Sequence, residues 1–212
     1  MSMPRGSEEL TNARKEEIIN ACASLYEHMG FRDISIRDIG AETSFTRTSI
    51  YNYFQTKEEI FLALLQREYE IWFHDLELIL HHDGKISVGE FADRLAHTLE
   101  KRECMLKLMS MNLYDMEGNS RMDNLVSFKR VYADAFRTMR LCMEKYFPEM
   151  APDDVNGFLY AFFPFMFGVY PYTKATEKQL EAMEIAQVDN PRYTIYGITR
   201  SFVEKMLGFM NR

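Results

Sequence analysis

Residues 44–57 read SFTRTSIYNYFQTK and gather an arginine, an asparagine, two tyrosines and several hydroxyls in one short stretch. These groups make and accept hydrogen bonds, and none of them is a poised nucleophile or a metal ligand. In a chain that is 47% apolar, such a stretch is either a solvated turn or a surface built to touch something. Other residues able to do chemistry are sparse. Cys22, Cys104 and Cys142 are odd in number, far apart and match no CxxC spacing, so neither a disulfide framework nor a redox site is expected. Cys22 falls on an apolar helical stripe and reads as a small core residue. His81, His82 and Asp83 are adjacent on a helix, where neighbours point in different directions, so no metal site is expected there. With no Gly-rich phosphate loop and no nucleophile elbow, neither an enzymatic activity nor a cofactor is expected.

The elements that position the 44–57 stretch follow from a helical period. Ile18, Cys22, Leu25 and Met29 form one stripe, so a first helix is predicted from about Asn12 to Met29, after a disordered lead-in over 1–11. Gly30 is placed to end it in a left-handed conformation. Ser35 caps a short second helix with Asp38 three positions on, and Ile36 and Ile39 face inward to its end near Thr43. Thr46 caps a third, to about Tyr53. Thr56-Lys-Glu-Glu59 is a capping box that opens a long helix over 56–80. Ile50 and Phe54, four residues apart, anchor the third helix and leave Arg47, Thr48, Ser49, Tyr51 and Asn52 pointing outward. Two short helices joined by a tight turn, the second with a polar outer face, are a helix-turn-helix.

The net charge is −7, and residues 1–60 carry 7 Lys/Arg against 10 Asp/Glu. Indiscriminate polyanion binding is therefore excluded, and any nucleic-acid contact must concentrate its positive charge on one face. From residue 59 to 212 the pattern is a larger helical bundle with no convincing strand, so the fold class is all-α. The longest apolar run, from Leu159 to Tyr172, is interrupted by Pro164, Gly168 and Pro171 and is shorter than the ~20 residues a membrane helix needs. The N-terminus lacks a signal-peptide pattern, so a cytoplasmic protein without membrane association is expected. The Phe-rich run over 153–170 suits a buried helix, a dimer seam or a cavity wall. The 15 methionines suit adaptable apolar pockets. The candidate lining of a pocket for a largely apolar small molecule is Trp72, Met109, Tyr132, Phe136, Phe163, Met166 and Phe167.

The segment from Ile18 to Leu65 resembles the DNA-binding domain of the tetracycline-repressor (TetR) family. The resemblance is carried by Ile36-Arg-Asp-Ile39-Gly-Ala, by Thr46-Arg-Thr-Ser-Ile-Tyr-Asn-Tyr-Phe54 and by Lys57-Glu-Glu-Ile-Phe-Leu. It implies a three-helix DNA-binding domain over 12–58 and a ligand-binding and dimerisation domain over 59–212, with the 56–80 helix linking them. It also implies a homodimer on double-stranded operator DNA, with recognition helices about 34–36 Å apart in successive major grooves. By position, Arg47, Thr48 and Ser49, with Thr46 at the cap, reach base edges, and Arg47 is suited to guanine O6 and N7. Tyr51 and Tyr53 meet the sugar-phosphate backbone, Asn52 meets adenine or phosphate, and Arg37 and Lys57 meet phosphates. Ser44 and Phe45 stand where the family usually has glycine and a small aliphatic residue, and Ser44 is then expected to be left-handed. The function implied is a regulator, a repressor released from a pseudo-palindromic operator by a small molecule. The alternative reading is a helical protein–protein adaptor that binds no DNA.

Overall fold

The computed structural model describes residues 5–189 and 192–210. Ten helices span these residues: α1 (Arg5–His28), α2 (Ile36–Ala41), α3 (Arg47–Ile50), α4 (Lys57–Leu80), α5 (Val88–Glu100), α6 (Glu103–Gly118), α7 (Met122–Tyr146), α8 (Pro152–Thr173), α9 (Glu177–Ile185) and α10 (Ile195–Met210). No strand occurs among the described residues, in agreement with the all-α expectation. No helix is long and apolar enough to cross a membrane among them.

The chain divides into two compact units. The first runs to Arg67 and includes Asn112–Arg130, and the second holds Glu68–Met111 and the rest of the chain from Val131. Asn112–Arg130 folds with the N-terminal helices, outside the continuous 12–58 segment expected for the first domain. The first helix begins before the expected start near Asn12. Residues 5–11 belong to α1, and residues 1–4 lie outside the described ones. Strong helix formers crowd residues 8–17, with no proline between Pro4 and the end of α1, so Thr11 and Asn12 lie within a helix.

In the first unit α1 buries Ile18, Cys22 and Tyr26, while Leu25 and Met29 are only half-buried. The buried row turns toward Tyr26 because its ring meets Phe61 edge-on at 5.2 Å, and Phe31 meets the Phe61 ring at 4.7 Å. Edge-on aromatic pairs of this kind add about 0.5–1.5 kcal/mol beyond area burial. Gly30 is not left-handed. Its lack of a side chain instead admits Asp33, whose Oδ2 would lie 2.8 Å from an added Cβ.

In the second unit α5 and α10 pack together through rows with helical spacing. Phe91, Leu95 and Leu99 are buried on α5, and Ile195, Thr199, Val203 and Leu207 on α10. Helix α8 starts with Pro152 just inside its end and continues through Pro164 and Pro171. It buries Phe158, Phe162, Phe163 and Met166 and turns Tyr160, Pro164, Phe167 and Pro171 outward. The interior prolines thus sit on its exposed side, where water can satisfy the carbonyls they leave unbonded. Burial pushes the Cys142 thiol up to about 12, which fits an inert core cysteine.

Candidate nucleic-acid interface

The surface that carries the 44–57 stretch begins at α2. Ser35 accepts from the Asp38 N–H at 3.3 Å, and the Asp38 carboxylate accepts from the Ser35 N–H at 2.9 Å, closing the expected capping box. The Ser35 hydroxyl also donates to that carboxylate, and this bond holds Asp38 below the usual carboxylate range. Ile36 and Ile39 are buried, which leaves Arg37 exposed on the outer face.

The turn between α2 and α3 is built differently from expectation. Ser44 is not left-handed. Its N–H donates to the carboxylate of Glu17 on α1, and that bond lowers the Glu17 pKa. Thr43 Oγ1 lies 3.0 Å from the Gly40 carbonyl and 3.1 Å from that of Phe45. The Phe45 ring receives the Arg14 guanidinium at 4.9 Å and lies 6.4 Å from the Tyr53 ring. Side chains therefore do the work that a glycine would do in the turn.

Helix α3 is shorter than the expected span to Tyr53. Only Arg47–Ile50 is α-helical, and the Asn52 and Tyr53 N–H groups tighten to bonds with Ser49 and Ile50. Tyr, Asn and Ser are weak helix formers, and a four-residue helix has no stability of its own. Thr46 occupies the N-cap position without a capping bond, because its hydroxyl pairs with that of Ser49 at 3.1 Å. Ile50 and Phe54 are buried as expected and root the segment. Thr46, Thr48, Tyr51 and Asn52 are exposed, while Ser49 and Tyr53 are half-buried. The side chain of Arg47 lies outside the described residues, although its backbone opens α3.

Lys57 is held by its own unit. Its ammonium donates to the carbonyls of Phe31 at 2.7 Å and Ile34 at 3.1 Å and lies 4.5 Å from the Phe31 ring centre. It ties the start of α4 to the α1–α2 loop. Substitution removes the ammonium from these partners. Lys57→Met should therefore cost about 1–3 kcal/mol of unfolding free energy. It should leave the slope of log K against log salt for DNA binding unchanged, whereas loss of a phosphate contact would lower that slope by about 1.

The start of α4 holds residues that sequence reasoning assigned incompletely. The Thr56 hydroxyl accepts from the Glu59 N–H at 3.2 Å and donates to the Asn119 carbonyl at 3.1 Å. The Glu59 carboxylate completes no reciprocal box with Thr56. It takes the Gln55 N–H at 2.8 Å and a two-pronged bond from Arg121, with Nε to Oε1 at 2.6 Å and Nη2 to Oε2 at 2.9 Å. Glu59 is buried. Burial raises its pKa, but the Arg121 and backbone N–H bonds outweigh that and hold it lowered. Neither Arg121 nor Glu17 carries a local sequence signal, because each meets its partner across a long stretch of chain.

In the second unit, six of the seven candidate pocket residues are core or half-buried. Trp72, Tyr132 and Phe136 all meet the Phe163 ring, at 5.9, 5.5 and 4.9 Å. Met109 joins through its sulfur, which accepts from the Tyr69 hydroxyl at 3.4 Å, and Met166 is buried. The Trp72 indole N–H donates to Thr98 Oγ1 at 2.9 Å. Phe167 differs from the other six, being 37% exposed on the outer side of α8. An open cleft of about 230 Å³ is bordered by Glu100, Glu103, Lys174 and Tyr196 among others, and by none of these rings. Among the described residues no cluster of His, Cys, Asp and Glu could hold a metal ion. His82 instead lies 3.2 Å from Arg94, and His81 bonds the Glu77 carbonyl.

A buried three-helix platform with a polar, exposed second short helix defines a helix-turn-helix DNA-binding regulator. Residues 18–64 match the family model for bacterial regulatory proteins of the tetR family, and residues 66–207 match the tetracyclin repressor-like C-terminal domain. The chain belongs to the TetR family of transcriptional regulators. It is similar to the uncharacterized HTH-type transcriptional regulator YfiR of Bacillus subtilis, at 25% identity over 97 residues. That match covers 45% of this chain and spans about half, 47%, of the relative. Its fold is shared with the fatty acid degradation regulator FadR from Bacillus halodurans, at 14% identity, a TM-score of 0.59 and coverage of 92% of this chain and 94% of the other. The TetR family transcriptional regulator PfmR from Thermus thermophilus is similar at 15% identity and a TM-score of 0.58, covering 92% and 95%.

Proposed function

We propose that this regulator is a repressor, which binds a pseudo-palindromic operator as a homodimer and leaves it when a largely apolar small molecule binds the second unit. The observation that carries the reading is the outward row of Arg37, Thr46, Thr48, Tyr51 and Asn52 above buried Ile36, Ile39, Ile50 and Phe54. In this reading Arg47, Thr48 and Ser49 read base edges, and Asn52 meets adenine or phosphate. Arg37, Tyr51 and Tyr53 hold the backbone, so the surface supplies both the positioning and the specifying contacts. The protein works in the cytoplasm, where its operator is.

Two observations support the partners. A second copy of this chain is supported by the apolar outer side of α8, where Tyr160 is 71% and Tyr172 76% exposed beside Phe167. Exposed apolar surface of this kind marks association sites. An apolar effector is supported by the Trp72, Tyr132, Phe136 and Phe163 rings, an environment that pairs an apolar body with a few polar handles. Helix α4 starts beside the reading surface and runs on past Arg67, so a ligand that prefers one placement of α4 shifts the population between operator-competent and released states. A ~10⁴-fold preference is enough for near-complete switching.

The test is a gel shift of the full chain on its own upstream DNA, repeated with a panel of fatty acids and other apolar compounds. Retardation that a bound compound reverses is the expected result. A compound that binds the folded protein yet leaves operator affinity unchanged contradicts ligand release.

A further inference from the structure

We propose that Arg121, on the loop between α6 and α7, is a positioning residue for DNA reading, holding the end of the α3 turn and the start of α4 in one frame. The proposal rests on the reading of the α2–α3 surface as the DNA-binding face. Three donors converge from this one residue. Its backbone N–H and its Nε both reach Glu59 Oε1, at 3.0 and 2.6 Å, and its Nη2 reaches both Glu59 Oε2 at 2.9 Å and the Tyr53 carbonyl at 3.2 Å. The Glu59 side chain is fully buried, so its charge has a fixed place and a strong demand for this partner.

The same carboxylate accepts the Gln55 N–H, and the neighbouring Thr56 hydroxyl donates to the Asn119 carbonyl. Residues 53, 56 and 59 are thus gripped directly by residues 119 and 121, and residue 55 through the Glu59 carboxylate. The segment between them is the exit of the recognition helix, which has only four α-helical residues and no rigidity of its own. A planar guanidinium fork can satisfy both carboxylate oxygens and one carbonyl at once, and a lysine ammonium cannot match that geometry. Arg121 stands 68 positions from Tyr53 in the chain, so no helix-turn-helix pattern includes it.

The test separates positioning from phosphate contact and from general stability. Wild-type protein first selects its preferred duplex from a random pool. Affinities are then measured for that duplex and for a scrambled duplex of equal length, at several salt concentrations. If wild type selects no sequence, the DNA-reading assignment itself fails before any variant is compared. The double variant E59Q/R121M removes both charges, so no buried carboxylate is orphaned. It should melt within a few degrees of wild type, lose about tenfold in affinity for the selected duplex, and keep its scrambled-duplex affinity and its salt slope. R121K, which keeps the ion pair, should show a smaller loss in the same direction and decides the question if the double variant does not fold. A specificity ratio within threefold of wild type, an equal loss on both duplexes, or a salt slope lower by about 1 each overturns the proposal.

Discussion

Replacing Phe54 by alanine is expected to abolish sequence-specific DNA binding and to destabilise the protein by about 3–5 kcal/mol. Phe54 is buried, and its N–H closes onto the Ile50 carbonyl at 3.0 Å. Together with Ile50 it roots a helix of four residues, which nucleation alone cannot sustain. Loss of the ring removes apolar burial and opens a void beneath the reading surface. Against a total stability of about 5–15 kcal/mol, that is a large share. Denaturant unfolding reports the free-energy change, and anisotropy at low temperature reports binding by the folded fraction. Phe54→Leu, which refills most of the volume, should recover most of both. A folded Phe54→Ala protein that binds its operator within threefold of wild type would contradict the anchoring role.

The second large effect is at Arg47. Its backbone opens α3, the position from which a recognition helix presents side chains to the groove. Arg47→Ala should weaken operator binding by about 1–3 kcal/mol while leaving thermal stability within about 0.5 kcal/mol. The loss should concentrate on one base pair per half-site, and substitution of that pair should cost the variant little further. Uniform weakening across all sequences, with a salt slope reduced by about 1, would make Arg47 a phosphate contact instead.

Much of the architecture was legible because it rests on local rules. The Ser35 cap, the buried Ile36, Ile39, Ile50 and Phe54, and the α8 start at Pro152 all follow from spacing of three or four residues. The outward placement of Thr48, Tyr51 and Asn52 was legible by the same subtraction. What local spacing misses is set by partners distant in sequence. Lys57 turns inward because the Phe31 and Ile34 carbonyls lie beside it. Ser44 avoids a left-handed turn because Glu17 takes its N–H from α1. Glu59 leaves its capping box because Arg121 arrives from 62 residues away. The placement of Asn112–Arg130 with the N-terminal helices is of the same kind, since no periodicity along α6 or α7 announces which neighbours each end will meet. Phe167 shows the limit of periodicity within one helix, for it lies four residues after buried Phe163 and is still exposed.

The central claim is that two copies of the chain read successive major grooves through α3. A major-groove methylation-protection footprint of the wild-type protein on its selected duplex tests this most directly. The account predicts two protected patches related by dyad symmetry, with centres about 10–10.5 base pairs apart or at a multiple of that spacing. A single patch, or protection confined to the minor groove, would contradict it.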